Sequence, residues 1–107
     1  MKKVLLLCSA GMSTSLLVEK IKKAAKAKEI ELQIDAKPQI EATQVLDEYN
    51  VILLGPQVRF IARQVKDAVA GRGIGVGIIE TITYGRMDGE KVLEQILSLM
   101  EEKRKES

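Results

Sequence analysis

Lys3-Val4-Leu5-Leu6-Leu7 runs straight into Cys8-Ser9-Ala10-Gly11-Met12-Ser13-Thr14-Ser15, and the change of character at Cys8 decides the fold. A continuous apolar run, rather than an alternating one, marks a strand buried on both faces, as parallel sheets require. From about Ser13 to Lys28 the spacing turns helical. Leu17, Ile21, Ala24 and Ala25 fall on one face, and Glu19, Lys20, Lys22, Lys23 and Lys26 fall elsewhere. A buried strand thus passes into an amphipathic helix through a loop of small and hydroxylated residues.

Outward from this unit the alternation continues. Glu31 to Ala36 alternates Leu32 and Ile34 with polar residues and closes at Pro38, which predicts a second strand near a sheet edge. Ile40 to Tyr49 reads as a short helix. Val51-Ile52-Leu53-Leu54, closed by Gly55-Pro56, is a third strand. Val58, Ile61, Ala62, Val65 and Val69 predict a helix over Gln57 to Ala70 that stops at Gly71. Ile74 to Ile79 is a fourth strand. Its glycines make no dinucleotide fingerprint, because positions 76 and 78 are Val76 and Ile78, and they point instead to tight packing. Thr81 to Gly89 reads as a polar loop. Asp88 then caps a last helix striped by Val92, Leu93, Ile96, Leu97 and Met100, and Glu101 to Ser107 trails off as a solvated charged end. The expected fold is α/β, a small four-stranded parallel sheet of order 2-1-3-4 with helices on both faces, flavodoxin-like. Ligands of such sheets bind beyond the carboxyl ends of the strands where strand order reverses, here the loops after strands one and three.

Composition narrows the function. A chain of 107 residues fits one domain spanning 1–107 and needs no disulfide or metal to fold, and its single cysteine could not form an internal bridge. The net charge of +2 is spread along the chain, which argues against nucleic acid as a partner. Histidine is absent, which removes serine–histidine and cysteine–histidine catalytic pairs together with the commonest metal ligand. Met1-Lys2-Lys3 and the four apolar residues after it are too short for a secretory leader, and no run approaches a membrane span. The expectation is a cytoplasmic monomer without cofactor or metal, not inserted in the membrane.

The loop after strand one carries the chemistry. Small residues let backbone amides converge, and a helix N-terminus adds its unpaired N–H groups and partial positive charge, a setting that suits a phosphate-sized anion. The same setting suits a cysteine thiolate as nucleophile without a histidine beside it. The plainer reading makes Cys8 a small core residue and the serines helix caps. The loop also resembles the C-x-x-x-x-x-R loop of low-molecular-weight tyrosine phosphatases, but the sixth residue after Cys8 is Thr14, so the bidentate arginine clamp is missing. A cysteine phosphatase and a non-enzymatic phosphate-binding module remain the alternatives.

Cys8 to Val18, Val51 to Gln57, and Tyr84-Gly85 with Met87-Asp88-Gly89 together resemble the lactose/cellobiose (chitobiose) type enzyme IIB of the bacterial phosphoenolpyruvate-dependent sugar phosphotransferase system, over essentially the whole chain. The resemblance implies that Cys8 accepts a phosphoryl group from a phosphohistidine of enzyme IIA and passes it, as phosphocysteine, to a sugar held by the membrane enzyme IIC. By position, Ser9, Ala10, Gly11, Met12, Ser13, Thr14 and Ser15 would bind the phosphate, through backbone amides and the hydroxyls among them. Gly55, Pro56 and Gln57 would border the site. Arg59 reads either as facing phosphate or partner or as a solvated helix charge, and Tyr84 either as rim or as packing on the sheet end. Met12 suits partner contact. The sugar (cellobiose, chitobiose, lactose or another) is not legible.

Overall fold

A computed structural model describes residues 2–9, 12–39 and 45–106. Strand β1 (Lys2–Cys8) is buried from Val4 onward, and the alternation of side chains along a strand sends Leu5 and Leu7 to one face and Val4 and Leu6 to the other. Strand β3 (Val51–Leu54) lies parallel beside it, with Val4 opposite Val51 and Leu7 opposite Leu54, and repeats the division. Ile52 and Leu54 join Leu5 and Leu7, while Val51 and Leu53 join Val4 and Leu6. One apolar run therefore supplies two cores, each fully buried Leu, Ile or Val contributing roughly 1.5–3 kcal/mol of transfer free energy. Strand β2 (Leu32–Pro38) flanks β1 and strand β4 (Gly75–Ile78) flanks β3, giving the expected order β2-β1-β3-β4, all parallel.

Helix α1 (Met12–Ala27) covers one face with Leu17, Val18 and Ile21, beside the last helix, whose Val92 and Ile96 join the same core. On the opposite face Val58, Ala62, Val65 and Val69 close the core, but not on one continuous helix as the spacing predicts. A 3-10 stretch, Pro56–Ile61, is kinked at Val58 and only then gives way to helix α2 (Ala62–Ala68). Gly71 lies beyond its end at φ 79°, the left-handed conformation the stop requires. The helix expected over Ile40 to Tyr49 lies partly outside the described residues; within them, Leu46–Glu48 is a 3-10 turn. Pro38 belongs to β2, paired with Cys8 on an edge strand whose missing N–H costs no ladder bond. No helix among the described residues is long and apolar enough to cross a membrane.

Two further expectations change. The supposed loop after β4 contains helix α3 (Thr81–Gly85), and the supposed charged tail continues helix α4 (Gly89–Glu106). The signal missing from the sequence was a glycine cap. Met87, at φ 51°, closes α3 by bonds from its own N–H to the Tyr84 carbonyl and from the Asp88 N–H to the Thr83 carbonyl. Glu29, at φ 57°, closes α1 in the same way through Lys26 and Ala25. Asp88 then caps α4, as expected, accepting from the Lys91 N–H at 3.1 Å.

Close approach explains two further glycines. A Cβ on Gly77 would come 2.9 Å from Leu99 Cδ1, so β4 carries glycine where α4 crosses it. A Cβ on Gly89 would meet the backbone of Lys20 and Ile21, its distance to the Ile21 nitrogen being 2.8 Å. Backbone cannot yield as a side-chain tip does. Gly89→Ala is accordingly expected to destabilise the protein by about 1–3 kcal/mol, the range for overpacking. Gly85→Ala, where nothing lies within 4 Å of the new methyl, is expected to be neutral or slightly stabilising. Urea denaturation of both variants checks this; equal effects would refute the close packing of α4 on α1.

Candidate functional site

The site is built at the carboxyl end of β1, the central strand with β2 on one side and β3 on the other. Cys8 ends that strand. Only 4% of its surface is exposed, and its thiol donates to the Lys37 carbonyl of β2 at 3.8 Å. Ser9 turns out into solvent, and three residues later α1 begins. The first turn of any helix leaves backbone N–H groups unpaired and carries partial positive charge. No acidic residue occupies that turn in α1 to neutralise it. The amides expected at Ala10 and Gly11, and the side chains of Met12 and Ser13, lie outside the described residues.

Thr14 and Tyr84 meet. Thr14 is 1% exposed, so its hydroxyl faces the interior, where Oγ1 lies 2.9 Å from Tyr84 Oη. Tyr84 comes from α3, on the segment leaving β4. Its ring also borders Gly55, where an added Cβ would lie 3.4 Å from Tyr84 Cε2 and would strike the Gln57 side chain. Gly55 is buried, and its N–H donates to the Leu7 carbonyl at 2.9 Å, tying the loop after β3 to the residue before Cys8. Of the residues singled out from sequence, Thr14, Gly55, Gln57 and Tyr84 are therefore brought together, and Pro56 starts the 3-10 stretch beside them. Ser15 is exposed on the outer side of α1, and Arg59 is exposed with no ion pair among the described residues.

Sequence reasoning missed three exposed apolar side chains. Leu16 on α1 is 49% exposed, Phe60 on the 3-10 stretch 73% and Ile82 on α3 67%. These three elements leave the carboxyl ends of β1, β3 and β4, the end of the sheet where Cys8 lies. Leu16 and Phe60 lie off the helical stripes of their segments, and that was the sequence signal. Exposed apolar groups on elements that leave one end of a sheet are candidates for a surface that meets another protein.

Comparison with known proteins places this geometry. Residues 3–95 match the family model for the lactose/cellobiose-specific IIB subunit of the PTS system. The oligo-beta-mannoside-specific EIIB component of Bacillus subtilis strain 168 is 42% identical over 100 residues, covering 94% of this chain and 97% of that protein. The cellobiose-specific EIIB component of Lactococcus lactis subsp. lactis is 38% identical, covering 92% and 96%. A galactose-specific EIIB component from Lactococcus lactis subsp. cremoris is also 38% identical, over the same shares. Among solved structures, the cellobiose-specific IIB component of Borrelia burgdorferi superposes with a TM-score of 0.77 at 42% identity, covering 95% of this chain and 94% of that one. The lactose-specific IIB domain of Streptococcus pneumoniae superposes with a TM-score of 0.82 over 92% and 96% at 24% identity, a likeness of fold.

At the edge strand β2, Asp35 and Tyr49 form a pair with displaced titrations. There Tyr49 donates to Asp35 Oδ2 at 2.7 Å, Gln33 donates to the same oxygen at 3.2 Å, and Lys3 Nζ sits 5.1 Å from the Tyr49 ring centre. The bond from Tyr49 holds the Asp35 carboxyl below its usual value against the opposing effect of burial, with Gln33, Lys3 and Lys37 helping. Burial first, then Asp35, pushes the Tyr49 hydroxyl up to about 12. A group whose folded pKa is raised stabilises fully below its unfolded pKa and loses that contribution as pH climbs through the folded value. The protein is therefore expected to lose stability between about pH 10 and about pH 12 through Tyr49. Tyr49→Phe should flatten that stretch of the stability–pH curve, measured by denaturant titration; an unchanged slope would refute the assignment.

Proposed function

The chain belongs to the lactose/cellobiose-specific IIB family of the sugar phosphotransferase system, and from that membership we propose that Cys8 is its phosphoryl-carrying residue. In this reading Cys8 Sγ attacks the phosphorus of a phosphohistidine on enzyme IIA. The S–P bond forms as the P–N bond breaks, and the thiol proton goes to the departing imidazole nitrogen. In the second transfer a sugar hydroxyl held by enzyme IIC attacks the same phosphorus. The S–P bond breaks, and the hydroxyl proton returns the sulfur to the thiol. The observation that carries the reading is the placement of the chain's one cysteine at the end of the central strand, with the N-terminal turn of α1 following at once.

The bare site supports a carrier over a hydrolase. The donor arrives already activated and the acceptor is bound elsewhere, so positioning and charge stabilisation suffice. Thr14 stands where the phosphatase loop has arginine, and its hydroxyl is engaged with Tyr84. A cationic clamp would stabilise bound phosphate as well as the transition state, and a carrier gains nothing from holding what it must release. Relatives named for oligo-beta-mannoside, galactose and cellobiose share this chain's length and family, which supports leaving sugar choice to enzyme IIC. Leu16, Phe60 and Ile82 would serve both partners in turn as a small, weakly binding surface.

Incubation with phosphoenolpyruvate, enzyme I, HPr and a matched enzyme IIA should add one phosphoryl group to the Cys8 peptide by mass spectrometry. Omission of any donor should abolish it. Cys8→Ala should take up none while unfolding at the wild-type midpoint, and the wild type should leave aryl phosphates essentially intact. Label on another residue, or steady aryl phosphate turnover, would overturn the reading. Phe60→Ser should raise KM for phosphorylated enzyme IIA about tenfold with kcat little changed, as loss of one exposed anchor would.

A further inference from the structure

We infer that Tyr84 is a positioning residue for phosphoryl transfer, acting through Thr14 on the first turn of α1; the inference rests on the carrier role proposed for Cys8. Thr14 is the third residue of α1, inside the first turn, whose backbone N–H groups have no partner within the helix. Its side chain points into the interior and so anchors that turn from beneath. The partner that receives it is 70 residues away in sequence, 2.9 Å from Thr14 Oγ1 to Tyr84 Oη.

Tyr84 is itself held on two sides. Its carbonyl accepts the Met87 N–H in the cap that joins α3 to α4, and the ring lies along Gly55, the residue hydrogen-bonded to the Leu7 carbonyl. The two hydroxyls thus fasten the segment after β1 to the one after β4, and the Tyr84 ring packs on the one after β3. Phosphoryl transfer is sensitive to misplacement of about 1 Å, and unlike a charged side chain a backbone amide cannot reach after a displaced phosphate. The hydroxyl pair sets where the α1 amides stand relative to Cys8.

Isosteric removal separates this role from stability. Tyr84→Phe leaves the buried Thr14 hydroxyl without its partner, and Thr14→Val does the converse, so each single variant should lose stability. The double variant removes both polar atoms with little change of shape, and stability should largely return. Transfer should not return. In single-turnover transfer from phosphorylated enzyme IIA, both single variants and the double variant should show kcat lowered about tenfold with KM unchanged. Thr14→Ser, which keeps the hydroxyl, should recover most of the rate. A double variant with both stability and rate restored would show that the pair is only structural. A rise in KM without a fall in kcat would move Tyr84 into the docking surface, and either result overturns the inference. Failure of the underlying carrier role looks different, because the wild type would then take up no label at Cys8 under the same conditions.

Discussion

Burial of β1 on both of its faces is the constraint from which the rest follows. A strand whose side chains must be dry on either side needs parallel neighbours and a covering layer above and below, and α1 with α4 and the 3-10 stretch with α2 supply those layers. The same burial puts the end of β1 at the middle of the sheet, between β2 and β3, where strand order reverses. Cys8 occupies that end because the chain there stops being core and starts being loop. The cysteine's position and the hydrophobic run are one feature of the sequence, and neither could move without the other.

Fold and site were unequally legible. Val4 to Leu7 and Val51 to Leu54 announce central strands, because a four-residue apolar run in a 107-residue chain has few other uses. Helical stripes were clear where a helix packs along its length, as in α1. They misled at Val58 to Val69, because a 3-10 stretch followed by an α-helix still brings those valines to one side. α3 was hidden because Met87 and not glycine takes the left-handed cap, a strain of roughly 1 kcal/mol that packing against the core offsets. At the candidate site, the strand end at Cys8 and the helix start after it were readable because both are local features of the sequence. The Thr14 to Tyr84 contact was not, since nothing in either residue names a partner 70 positions away.

The Asp35 and Tyr49 pair shows why displaced titration alone is a poor guide here. It lies on the β2 edge, its bond satisfies a buried hydroxyl, and Lys3 and Lys37 balance the carboxylate. Every part of the displacement has a structural cause. Cys8 stands out by geometry instead, at a strand end before a helix start with no acidic residue in its first turn and beside the loop that carries Gly55.

A relay protein faces a requirement that a hydrolytic enzyme does not: its covalent intermediate must survive one encounter and yield in the next. Backbone amides suit that requirement. They stabilise transferring charge in whichever direction the group moves, carry no proton to donate to water, and keep their geometry when the partner changes. Their weakness is that they are only as well placed as the segment that bears them. A site built mainly of backbone must therefore be stiffened by side chains that never touch the substrate. In the proposed carrier the interior-facing Thr14, the capped α3 and the buried Gly55 would be such parts, and they are also the ones a search for reactive side chains would pass over.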